Sequence, residues 1–150
     1  MEMSEILVQE NQASLPKFGL ADIDRLAAMV KEKAGNNWDK ICLLIALNHR
    51  IVYFHAGIQT TAENNNWIKK KLNTVYFFEH SSLFEKAKFK EDQAAFLGAN
   101  DLSAGDYTCY GGGFPIKVDG VGTVGAVIVS GLKDFEDHDL AYQALLGMKA

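Results

Sequence analysis

At 150 residues the chain has the size of one domain, able to bury about two-thirds of its unfolded surface around a single core. Hydrophobic residues at 48%, charged residues at 23% and only 2 prolines exclude a disordered or low-complexity chain. Fifteen basic against nineteen acidic side chains leave a net charge of −4, a sign that opposes nucleic acid or an anionic membrane surface as the main partner.

The first residues, Met1-Glu2-Met3-Ser4-Glu5, place acid where an export signal needs base. A helical stretch around residues 4 to 11 comes next, with Pro16 marking its break. After Gly19, Ile23, Leu26, Ala27 and Val30 recur at i, i+3, i+4, i+7, the pattern of an amphipathic helix, which Gly35 and Asn36 stop. Ile41 to Leu47 is apolar throughout, as in a strand covered on both faces, and it is far shorter than the about twenty residues of a membrane helix. Asn48-His49-Arg50 joins it to Ile51–His55 as a tight antiparallel hairpin. Residues 60 to 66 offer several N-caps for a helix running from Trp67 to about Glu79. That helix carries Trp67, Tyr76, Phe77 and Phe78 on more than one face, so it is expected either at a subunit interface over part of its surface or enclosed entirely by its own sheet and neighbouring helices.

Short helices are expected over Leu83–Lys88 and Asp92–Leu97, broken near Phe89, with Ser81 and Ser82 as a cap. Strand character returns in Tyr107–Tyr110, Phe114–Val118 and Thr123–Ser130, with Asp119-Gly120 as a turn between the last two. Pro115 removes a ladder donor and puts its strand at an edge or a bulge. Asp134 with Asp137 resembles a capping box, and Ala141, Ala144, Leu145 and Met148 follow at helical spacing. The order defines an α+β domain with an antiparallel sheet, residues 1–150 forming one unit.

Gly111-Gly112-Gly113 ahead of Pro115 needs a backbone without side chains, either for a turn too tight for a Cβ or for a surface that something outside the fold approaches. Open main-chain amides at a contact between protomers are the expectation. A phosphate loop is excluded, because the glycines precede a strand where a phosphate cradle would precede a helix.

Gly112-Gly113-Phe114-Pro115-Ile116, Gly120, Val124-Gly125, Val129-Ser130-Gly131-Leu132 and Asp137-His138 together resemble the signature of the haem-degrading domain family, in its uncharacterised protein family 0303 branch. Asn64, Trp67, Lys70-Lys71, Asn73, Val75 and Ser81-Ser82 are similar to a second motif of that branch, while Glu63 and Lys70 stand where Asp and Arg are usual. The resemblance implies a profilin-like fold, a sheet of about five antiparallel strands flanked by helices, and homo-oligomers. Some relatives bind haem, others belong to glycolate or diol metabolism neighbourhoods, and the branch has no assigned activity.

The ligand-binding candidates are Trp67, Lys70, Lys71, Gly111, Gly112, Gly113 and Phe114, around a pocket between subunits. Lys69, Lys70 and Lys71 form the only basic run and, read as the first turn of their helix, oppose its dipole, which suits the holding of an anion, although a solvated face with stray lysines is the competing reading. A small anionic ligand follows, with haem a candidate cofactor because propionates suit lysine and the macrocycle suits aromatics. His55, His80 and His138 are candidate iron ligands and His49 belongs to a turn; an ordinary structural role competes for each. His138 and Cys109 are the catalytic candidates should the protein be an enzyme of haem breakdown or small-acid metabolism. The main reading is a cytoplasmic, homo-oligomeric small-ligand-binding module, and an oligomeric protein-interaction scaffold is a further alternative.

Overall fold

The computed structural model describes residues 1–149. Six α-helices and four strands follow one another as α1 (Met3–Gln12), α2 (Ile23–Ala34), β1 (Cys42–Leu47), β2 (Arg50–Ala56), α3 (Ala62–Phe78), α4 (Ser82–Lys88), α5 (Gln93–Asn100), β3 (Gly113–Val118), β4 (Gly122–Ser130) and α6 (Asp134–Gly147), with short 3-10 turns on either side of α2. The strands form one antiparallel sheet in the order β2-β1-β4-β3.

β1 is buried along its whole length because the sheet is covered on both faces. Leu43 and Ile45 point to the larger core with Phe114, Ile116, Val127 and Val129, where α2 and α6 lay down Leu26, Val30, Ala141 and Leu145. Cys42, Leu44 and Ala46 point to the opposite face, closed by Ile68, Leu72 and Val75 of α3. This is the alternation expected of a strand, with both of its faces apolar. Asn48 and His49 both take positive φ, 51° and 62°, as a two-residue hairpin turn demands, and Leu47 pairs with Arg50 across it.

Pro115 stands on β3, an edge strand, where a missing ladder donor is tolerated. Leu15 lies beside that edge, donating its N–H to Lys117 O and accepting from Asp119 N.

Three expectations are corrected. Tyr107–Tyr110 forms no strand: Thr108 exchanges bonds with the Thr74 hydroxyl, and Cys109 N–H donates to Gln93 Oε1, so its polar groups are met by helix side chains. The sheet therefore has four strands rather than five. α3 begins at Ala62, capped by Thr61 and by Asn64, whose Oδ1 accepts from Thr61 N, so the three lysines lie in mid-helix and the dipole argument for them lapses. At α6 the box is closed by Glu136, which accepts from Lys133 N, rather than by Asp134 and Asp137.

Candidate functional site

The glycine corner is enclosed. A Cβ on Gly111 would stand 2.7 Å from Asp134 O, one on Gly112 would meet Val129 O and lie 2.7 Å from Lys71 Nζ, and one on Gly113 would lie 2.8 Å from Val75 Cγ2. Gly111 N–H donates to Asp134 Oδ2 at 3.0 Å and Gly113 N–H to Ser82 Oγ at 3.0 Å. The expected open amide rim is thus replaced by close approach of the chain to itself, with Gly112 at φ 129°. Phe114 is fully buried between the rings of His138 and Tyr142.

Successive residues on a helix point about 100° apart, so the basic run splits into three environments. Lys69 pairs with Asp106 at 3.4 Å on the surface. Lys70 lies 4.7 Å over the Trp67 ring and has no carboxylate partner among the described residues. Lys71 is buried, donating to Val129 O at 2.9 Å and Asp137 Oδ2 at 3.3 Å. Asp137 also accepts from Gly131 N and Leu132 N, so the pair ties α3 to the start of α6. Burial pushes the Lys71 ammonium pKa down and the Asp137 carboxyl pKa up, each opposed by the other's charge.

Trp67 and Tyr110 meet edge to face at 5.6 Å, and Lys86 lies 5.3 Å over Tyr110 while donating to Asp134 at 2.8 Å. Together Trp67, Lys71, Tyr110, Ser130, Leu132 and Asp134 bound a pocket of about 170 Å³. At about 30 Å³ per water molecule, that is the room of some five or six waters. Trp67 and Lys71 thus line this space, and Lys71 Nζ lies beside Gly112 of the glycine corner.

A larger cleft lies next to it, sharing Leu132. Its volume is about 530 Å³, and its walls include Leu83, Leu132, Phe135, Leu140, Gln9 and His138. A neighbouring hollow of about 590 Å³ shares Leu83 and Phe135 and adds Lys86 and Lys90. The three form a crescent around the start of α6.

Of the four histidines, His138 alone lines the crescent. His55 stacks on Trp38 at 3.7 Å and bonds its carbonyl, His80 stacks on Phe84 and bonds Glu10 at 2.8 Å, and His49 rests on Tyr76 in the hairpin turn. His138 is 2% exposed; its Nε2 bonds Gln9 Oε1 at 2.7 Å, and its Nδ1 has no partner. Burial pulls its pKa down to about 4, so the ring is neutral at pH 7. Cys109 is buried, its Sγ donates to Gln93 Oε1 at 3.0 Å, and burial pushes the thiol up to about 11, so it is protonated at neutral pH.

Gln9, Leu83 and Phe135 escaped the sequence reading. Gln9 lies 129 positions from His138, and no local pattern joins them.

A single antiparallel sheet, α3 on one face, α2 and α6 on the other and a crescent of hollows at the start of the last helix define an α+β domain with a ligand-sized cleft. The family model for haem degrading protein HbpS-like matches residues 18–146. A UPF0303 protein of Lactiplantibacillus plantarum is 51% identical over 150 residues, spanning 100% of this chain and 97% of that one. The chain belongs to the HbpS-like haem degrading protein family, among its UPF0303 members. Two solved structures share the fold: the Ybr137w protein, with a TM-score of 0.89 at 22% identity over 99% of this chain and 88% of that one, and the PduOC:heme complex, with 0.69 at 17% over 85% and 92%.

Proposed function

We propose that this protein is a cytoplasmic, homo-oligomeric module that binds a small amphipathic anion, and that haem is the ligand class the crescent suits. The observation that carries the reading is His138: a neutral, buried imidazole with an unpartnered nitrogen, in the wall of a 530 Å³ cleft. Buried polar atoms are almost always paired, so this orphaned nitrogen, closed off from the cleft while Gln9 holds the ring, marks a side chain whose partner is absent. The PduOC complex with haem has the same fold, which supports the choice of ligand.

The chain's own groups divide the work. Leu83, Leu132, Phe135 and Leu140 offer an apolar wall to a flat macrocycle, and Phe135 is 57% exposed at its edge. Lys90, exposed in the adjoining hollow, and Lys86 offer charge to carboxylates. Trp67 with Lys70 extends the crescent as a cation-bearing aromatic surface for a further small anionic group. Lys71, Gly111, Gly112, Gly113 and Phe114 act from behind, holding α3, β3 and α6 at the spacing that leaves the crescent open. Bound haem would supply a coordinating iron and a Soret band; His138 would supply the nitrogen. Self-association is proposed on the apolar side chains left outside the core, Ile51, Phe54, Ile58 and Phe77.

Haem titration tests the reading. A saturable Soret shift is expected, lost in His138→Phe with the fold retained by circular dichroism, and a native mass at a multiple of the chain. An identical titration by the variant removes His138 from the site, and no shift in the wild type rejects haem.

A further inference from the structure

His138 presents no nitrogen to the cleft as it stands. Nδ1 is enclosed, and Nε2 is engaged by Gln9, which fixes the ring's orientation. For either nitrogen to meet a ligand the ring must turn, and it cannot turn without giving up the Gln9 bond. Gln9 belongs to α1, and the two residues ahead of that helix reach the same place: Met1 lines both larger hollows and Glu2 one of them.

α1 is built to come away. Its ten residues bury only Ile6 and Glu10. The rest of its attachment is polar: Glu10 accepts from Ser81 N at 3.1 Å and Lys117 Nζ at 3.3 Å and bonds His80, Gln9 bonds His138, and Tyr142 donates to Gln12 at 2.8 Å. Polar attachments exchange for water at little net cost, unlike apolar burial. A helix of ten residues is unstable by itself, so α1 leaves and unfolds as one unit. α1 packs mainly on α4 and α6, and it meets the sheet through the Glu10–Lys117 ion pair at the β3 edge, so the strand ladder does not depend on it.

We infer that α1 is a displaceable cap: Gln9 occupies the imidazole that the ligand must take, so ligand entry and α1 docking exclude one another. The inference rests on the His138 reading above and assigns that site its regulation. Anything that holds α1 down keeps the imidazole engaged by Gln9, and anything that draws α1 off frees it.

Haem and diethyl pyrocarbonate are the probes. Gln9→Ala should tighten haem binding about five- to tenfold, the worth of one net hydrogen bond. In the haem-free protein the same variant should speed carbethoxylation of His138, located by peptide mass. Haem should also raise amide exchange across residues 3–12. Unchanged haem affinity and unchanged carbethoxylation in Gln9→Ala overturn the cap, as does tight haem binding with α1 exchange unaltered. If neither protein binds haem while the variant's His138 reacts faster, the cap stands and the choice of ligand falls.

Discussion

At Gly112 the fold leaves no room for a side chain. A Cβ there would meet Val129 O and Lys71 Nζ, and the positive φ would strain any substitute. Gly112→Ala is expected to destabilise the protein by about 3 kcal/mol or more in urea unfolding, combining left-handed strain with overpacking. Gly120, also at positive φ but with nothing around its Cβ position, should tolerate alanine better, and a comparable loss at both sites would remove the packing argument. His138 is the second residue on which much turns. Its pKa is about 4 against an ordinary value of 6.5, so the unfolded chain takes up a proton in that window while the folded one does not. The stability from keeping this ring neutral is complete above about pH 6.5 and is lost as pH falls toward 4, a loss on the order of 3 kcal/mol. Urea midpoints across that range should fall with decreasing pH in the wild type and flatten in His138→Phe.

Among the elements, α3 and α6 are joined by the Lys71–Asp137 pair, whose side chains are 4% and 2% exposed. Asp137→Ala strands a buried ammonium and two backbone donors, and should cost about 3–5 kcal/mol; a chemical denaturation curve matching the wild type would show that water replaces the carboxylate. That pair also marks where sequence reading stops. The hairpin at Asn48-His49, the β3–β4 turn, the α4 cap at Ser81 and the edge position of Pro115 were legible, because each depends on backbone chemistry within a few residues. Lys69, Lys70 and Lys71 read as one basic patch, yet helical rotation sends them to solvent, to an indole and to the core. Tyr107–Tyr110 has strand-like residues, but Thr74 and Gln93, distant in sequence, satisfy its backbone. Of the site, Trp67, Lys71 and the glycine corner were legible as candidates; the cleft was not, since Gln9, Leu83, Phe135 and His138 meet only after α1, α4 and α6 have packed.

For the whole molecule, acid should loosen the attachment of α1 before it opens the sheet. Burial raises the pKa of Glu10, but the His80 hydrogen bond and charge, Ser81 N–H and Lys117 more than offset it and leave the group below its ordinary 4.5. A carboxylate depressed in this way stabilises the fold above its unfolded pKa and ceases to do so as pH falls through the folded value. Below about pH 4.5, amide exchange in residues 3–12 should therefore rise before that of β1 and β4; simultaneous loss of both would make α1 an integral part of the core. Met1 stands at the mouth of both larger hollows. A polyhistidine affinity handle left on that end would hang spare imidazoles over the opening and mimic the absorbance change sought, so purification sequences belong at the opposite terminus or must be cleaved before spectra are taken.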